Sequence, residues 1–259
     1  MRATLSSPDG LSSAAVTTLL PSAARLAWWG TAWLRGQVVT DLLIDAVIGD
    51  DATHAVAGLP GSDGTETLVL ALGRLRALGA TSFGAAFPAE GDPVGLGGPR
   101  AFNADSYEAG ESVVVAGTGL GLVPDRTGAA VIWVAQPAER RQLPDVAEAD
   151  QQLRLALIES ADALARLDVA RWRPEVADEL LNLRHRAPVA APAGVPPRCV
   201  DLAARGLQAL GIADLALEDD GGAVSAAEIS AREAALRPLA RAGRRALVAA
   251  CSPEVWPPA

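Results

Sequence analysis

Apolar residues recur at spacings of three and four along "AARLAWWGTAWLR", and Pro21-Ser22 opens the run while Gly36 closes it, so the pattern predicts a first helix. "TDLLIDAVIG" predicts a second, with Thr40 or Asp41 at its cap and Gly49 at its end. The period then shortens. "THAVAGL" alternates between turn residues and predicts a strand. "TETLVLALGRLRALG" returns to helical spacing, with Leu68, Leu72, Leu75 and Leu78 on one face, and "ATSFGAAF" predicts the next strand. Strand, helix and strand over residues 53–87 predict a right-handed parallel β–α–β unit. "ESVVVAG" and "AAVIWVA" are continuous apolar runs, expected of strands covered on both faces.

After residue 140 the strand pattern stops. "LPDVAEADQQLRLALIESADALARLD" predicts a long helix with Val146, Leu153, Leu157, Leu164 and Leu167 on one face, and Pro174 suits the first position of another. "APVAAPAGVPP", residues 187–197, is a stiff linker. A helix from about Pro197 to Leu210, closed by Gly211, comes next. The last helix runs from Ser225 to about Ala250, opens on the capping box Ser225 to Glu228 and is expected to kink at Pro238. The expectation is an α+β (or α/β) protein: a small mixed sheet of about four strands, N-terminal helices and a largely helical C-terminal half. Residues 1–140 form the sheet-bearing region, and 141–259 a helical region that packs on it or stands apart.

Composition narrows the chemistry. The 259 residues are half hydrophobic, enough for one large or two modest cores. All 22 basic residues are arginine; without lysine there is no Schiff base and no P-loop lysine. The net charge of −9 argues against nucleic acid as a partner. The densest arginines, Arg184 with Arg186 and Arg244 with Arg245, fall near predicted helix C-termini, where they complement the dipole. Cys199 and Cys251 lie far apart and suit buried apolar positions in a reducing compartment. Arg25 and Arg35 interrupt the most hydrophobic stretch, so no membrane span is expected and the protein is placed in the cytoplasm.

Several motifs invite chemistry. "VVVAGTGLGLVPD" resembles a dinucleotide-binding turn, but Leu122 stands where the third glycine belongs, and Pro124 and Gly128 leave no room for a helix. A long hairpin loop fits it better, and no cofactor is expected. "ATSFG" has its flanking elements in the wrong order for a nucleophile elbow, and neither His54 nor His185 has a recognisable acid partner. "GDDATH" brings Asp50, Asp51 and His54 together, yet it lacks a second histidine and fits a solvated polar turn; no metal is expected. "LEDDGGAVSAAE" offers too few oxygens for an EF-hand. Trp28, Trp29 and Trp33 share one short helix and are expected inside the protein rather than at an interface.

"FPAEGDPVGLGGPRAFN", residues 87–103, is the strongest site candidate, a long irregular segment leaving a strand end. Asp92, Arg100 and Asn103 supply polar contacts, and Gly95, Gly97 and Gly98 allow close backbone approach. If strands 81–87 and 111–117 run parallel, both glycine segments share one edge and form a single pocket with Arg126; if antiparallel, they lie at opposite edges. Two functions follow: a non-catalytic interaction or regulatory protein that assembles with itself or another protein, or a small-molecule binder or enzyme using residues 88–103.

Overall fold

The structure, a computed structural model, describes residues 19–139, 141–166, 188–218 and 226–257. Helices α1 (Ser22–Leu34) and α2 (Thr40–Ile48) start and stop within a residue or two of the predicted signals. Then come β1 (Thr53–Ala57), the two-residue β2 (Glu66–Thr67), α3 (Leu68–Ala77), β3 (Ser82–Ala86), α4 (Arg100–Ala109), β4 (Ser112–Ala116), β5 (Leu120–Thr127) and β6 (Ala130–Pro137). The C-terminal half contributes α5 (Val146–Arg166), α6 (Pro197–Glu218), α7 (Ala226–Ala250) and a single 3-10 turn, Pro253–Val255.

The class is α+β with a mixed sheet, as the pattern predicts, but the sheet has six strands in the order β2-β1-β6-β5-β4-β3. The additional strands are β2 and β5. The sequence reading treats residues 120–127 as loop because the stretch is rich in glycine and punctuated by Pro124 and Gly128. In the fold, Gly121 lies under the ring of Phe102, where a Cβ would collide with it. Pro124 falls past the residues that pair with β4, which end at Leu122, so one edge of β5 is free there. That is where a strand tolerates proline. The turn before it takes Gly117 and Gly119 at positive φ, 90° and 68°. The three glycines of the apparent cofactor motif therefore serve a tight turn and an aromatic contact.

The predicted parallel β–α–β unit does not form. β1 pairs in parallel with β6, and three strands separate it from β3, which runs the opposite way. The short turns of the β4–β5–β6 meander fold that ladder locally and bring β6, not β3, alongside β1. Strands β3 and β4 are antiparallel, with Ala86 opposite Ser112.

One sheet face carries Val56, Phe83, Val113, Val115, Leu122 and Trp133 into the main core with α1 and the C-terminal helices. Fully burying one such aliphatic side chain stabilises by about 2 kcal/mol. The other face presents Ala86, Val114 and Val123 to Phe102 of α4, Leu96 and Ala138. The outer edge of β3 is sealed by groups from elsewhere. Thr31 Oγ1 accepts from the Phe83 amide (2.9 Å), the Cys251 carbonyl accepts from the Ala85 amide (3.0 Å), and Arg141 Nη1 donates to the Ala85 carbonyl (2.7 Å). Such closure keeps an edge strand from recruiting another chain.

Trp28 is fully buried and its Nε1 donates to the Ala250 carbonyl at 3.0 Å, tying α1 to the end of α7; Trp29 and Trp33 pack on the same core. Helix α6 continues through Gly211 to Glu218, beyond its predicted end, because packing on α7 outweighs the weak helix propensity of one glycine. Helix α7 continues through Pro238. Arg244 and Arg245 do not cap a helix end: they lie inside α7, whose last turn holds no basic residue. Pro174, Arg184, His185, Arg186 and Ser225 of the predicted capping box lie outside the described residues.

Candidate functional site

The turn between α2 and β1 carries Asp51, three residues before His54. Asp51 Oδ2 accepts from Arg25 Nη2 (2.9 Å) and from His54 Nε2 (2.9 Å), and Oδ1 accepts from Arg126 Nη1 (3.1 Å). The indole Nε1–H of Trp133, which can only donate, points at His54 Nδ1 from 3.2 Å. The imidazole proton therefore sits on Nε2, facing Asp51. Arg126 Nη2 also donates to Ser22 Oγ (2.7 Å) and Glu111 Oε1 (3.1 Å), while Glu111 Oε2 accepts from the Ala23 amide (2.8 Å) at the start of α1.

Burial pushes the His54 imidazole down from its usual range, and the Asp51 carboxylate only partly offsets this. Burial pushes Asp51 up, but hydrogen bonds from His54 and Arg25 and the charge of Arg126 hold it below the usual carboxylate value. His54 thus does have an acid partner, contrary to the sequence reading. Asp50 is exposed, but Asp51 is an ion-paired side chain, not a solvated one. Only the second error has a distant cause, since Arg25 and Arg126 come from far along the chain; Asp51 is three residues from His54, and the turn before β1 brings the two side chains together. Chemically the cluster is closed. With both ring nitrogens occupied and the side chain fully covered, His54 has no lone pair for a substrate.

The residues nominated on segment 88–103 are placed differently. Asp92 closes a tight turn with Ala89, exchanging both backbone hydrogen bonds, and its side chain is only 5% exposed. Gly95 sits against Ala86 and Val248 with no space for a Cβ. Gly97 is exposed. The Gly98 carbonyl accepts from the Glu139 amide (2.9 Å), and Asn103 Oδ1 accepts from the Gly98 amide (3.0 Å), fastening the loop to the start of α4. Arg100 is exposed on the first turn of α4.

Although β3 and β4 are antiparallel, the loop crosses back along the sheet. Its end at Gly98 meets Glu139, while the Gly119 carbonyl accepts from the neighbouring Ala138 amide (2.9 Å). The two glycine segments are therefore close after all, on either side of Ala138–Glu139, and do not lie at opposite edges as expected. Arg126 is at the other end of β5, beside Asp51 and Glu111, so the nominated residues do not line one pocket. It borders a groove of about 510 Å³ beside α4, with Asp105, Glu108 and Asp125 over Val123 and Val134. A second groove, about 550 Å³, is lined by Gly117, Gly119, Glu139, Arg141, Leu143 and Glu254.

Asp92 itself turns toward α7. Its Oδ2 lies 3.5 Å from Arg241 Nε and 3.8 Å from Arg244 Nη2, and its Oδ1 lies 3.9 Å from Arg245 Nη1. The sequence reading missed these arginines as site residues. The available signal was their spacing, i, i+3 and i+4, which puts three guanidiniums on one helix face. Burial lowers the Arg244 pKa against the pull of Asp92 and Asp214, yet a guanidinium stays charged.

The other groups with chemical potential are engaged or shielded. Burial pushes the Cys199 thiol up to about 11 and raises Cys251 as well, so neither forms a reactive thiolate at neutral pH. Arg141, buried beneath β3, pairs with Glu254 at 3.1 Å. Among the described residues no group of three or more histidine, cysteine, aspartate or glutamate side chains is arranged to hold a metal, and no helix is long and apolar enough to cross a membrane.

Fold and clusters together define an α+β protein, in which a six-stranded sheet shares one hydrophobic core with α1 and the C-terminal helices. Ion pairs and hydrogen bonds near the end of α7 add to that contact. Residues 23–151 match the N-terminal domain of the Rv1486c-like protein family and residues 147–248 its C-terminal domain, so the family's own division falls at the start of α5. The chain is 30% identical over 292 residues to the uncharacterized protein Rv1486c of Mycobacterium tuberculosis (strain ATCC 25618 / H37Rv), covering 90% of this chain and 97% of that one. It is equally similar, at 30% identity over 292 residues with the same coverage, to the uncharacterized protein MT1533 of Mycobacterium tuberculosis (strain CDC 1551 / Oshkosh). The protein belongs to the Rv1486c-like family. No solved structure matches it. The names of both relatives state no activity.

Proposed function

We propose that the protein acts by binding and not by turnover: an interaction or regulatory protein of the bacterial cytoplasm that assembles with itself through helical surface. The observation that carries this is the outer surface of α2 and α3. Leu42 is 55% and Leu70 64% exposed, and Val39 and Val69 beside them are exposed too. Single exposed apolar residues are ordinary, but three on two neighbouring helices, with Val39 at the cap of α2, favour a protein partner. The closed environment of His54 and the raised thiols support a non-catalytic role.

Native mass spectrometry tests it. A dimer or higher oligomer is expected, reverting to monomer in the Leu42→Asp/Leu70→Asp double variant. A wild-type protein that stays monomeric at tens of micromolar, a concentration at which weak self-association should register, sinks the proposal. A second reading, binding of a small molecule near residues 88–103, is favoured by one observation: three arginines gather round Asp92.

A further inference from the structure

We infer that the arginine face of α7 around Asp92 is a binding site for a small phosphate-type oxyanion. The site has an unusual internal balance. Three guanidiniums face one carboxylate, with the charge of Asp214 also acting on Arg244, so positive charge stays in excess. None of the three contacts closes to a good hydrogen bond; they stand at 3.5, 3.8 and 3.9 Å. Asp92 Oδ2 and Arg244 Nε are both buried and make no hydrogen bond among the described residues. Arg244 Nε is a buried donor that a further acceptor completes, while the unpaired Asp92 oxygen is itself an acceptor and takes a donor, such as the remaining P–OH of a hydrogenphosphate.

Rigidity accounts for the gap. The Ala89–Asp92 turn fixes the carboxylate's backbone, and Gly95 wedges the next residues between Ala86 and Val248. The loop therefore cannot settle closer to α7, and the arginines are left with donor forks that Asp92 does not fill. Arg241 and Arg245, 57% and 28% exposed, reach solvent, while Arg244 at 19% forms the inner wall.

The chemistry of the donors selects the ligand. A single carboxylate is satisfied by one guanidinium fork. Guanidiniums converging from adjacent turns of a helix suit a tetrahedral group with several acceptor oxygens and about two negative charges, as a phosphate has near neutral pH. Arg241 and Arg245 would hold the oxyanion directly. Arg244 and Asp92 are positioning residues.

The test is calorimetric titration of the full-length protein with inorganic phosphate at low ionic strength, with thermal melts alongside. Saturable binding is expected, weakened about tenfold or more in the Arg241→Gln/Arg245→Gln double variant, since each replacement removes a charge-assisted interaction. Asp92→Asn should tighten binding severalfold by removing the competing anion. Absence of saturable binding to wild-type protein overturns the inference, and so does binding that the double variant leaves unchanged. A double variant that melts lower while wild type ignores phosphate also overturns it, and makes the cluster only a latch between the two halves. The site does not depend on self-association: Leu42→Asp/Leu70→Asp protein, whatever its oligomeric state, should bind phosphate as wild type does.

Discussion

Two carboxylate–arginine clusters in this molecule use the same residue types to opposite effect. At Asp51 the distances are 2.9 to 3.1 Å, both oxygens are filled, and only Arg25 Nε and Nη1 are left over, with Nη1 crowded against Gly49. At Asp92 three arginines hover at 3.5 to 3.9 Å and a carboxylate oxygen goes unpaired. Composition does not separate the two; closure does. A closed cluster fastens elements together: here α1, β4, β5 and the turn before β1 are joined through Ser22, Glu111, Arg126 and Asp51. An open one keeps donor capacity that something else can use.

The contrast is sharpest in stability. Asp51→Ala should lower the unfolding free energy by about 3–5 kcal/mol, because it leaves the buried Arg25 without a counter-charge. Urea denaturation measures this, and a loss under about 1 kcal/mol, the level of an exposed pair, would mean the cluster is not the clamp described here.

The next effect is a pH dependence. His54 is held below its ordinary pKa in the folded protein, so the fold prefers it neutral. That stability is fully present above the unfolded value near pH 6.5 and drains as pH falls below it, since only the unfolded chain takes up the proton. Asp51, also held low, adds a term that is present above about pH 3.9 and lost as pH falls through its folded value. Both slopes have the same sign. His54→Gln should cost about 1–3 kcal/mol at neutral pH, mainly through lost hydrogen bonds, and abolish the decline that begins near pH 6.5. Melting curves from pH 4 to 8 check both, and an unchanged pH profile would remove His54 as its source.

At the Asp92 cluster the smallest stability effect is expected. Arg241→Gln/Arg245→Gln should alter unfolding by no more than about 1 kcal/mol, since both side chains are partly exposed and lack close hydrogen bonds. A loss comparable to that of Asp51→Ala would erase the distinction between the two clusters.

Much of the fold was legible locally. Pro-Ser and glycine punctuation marked α1 and α2, leucine spacing marked α3 and much of α5, and β-branched runs marked β4 and β6. What escaped was what depended on partners. β5 was hidden because its glycine and proline are explained only by Phe102 and by the end of β4 pairing. The β1–β6 pairing was hidden because local order cannot say which strand a meander will deliver to an edge. Asp92 was legible as a polar residue on a suspicious loop, but its arginines come from more than a hundred residues away, and two of them, Arg244 and Arg245, were assigned to a helix end.

The sequence by itself determined the α+β class, the helix and strand types, the absence of lysine-dependent chemistry and the rejection of a dinucleotide fingerprint. Those follow from periodicity, residue inventory and short-range geometry, which act within a few residues. Tertiary structure alone decided that His54 would be sealed between Asp51 and Trp133, that Arg126 would join that clamp and leave the loop, and that Asp92 would meet three arginines without touching them. Such outcomes turn on differences of about an ångström between groups far apart in the chain, and only the packed core fixes distances that finely.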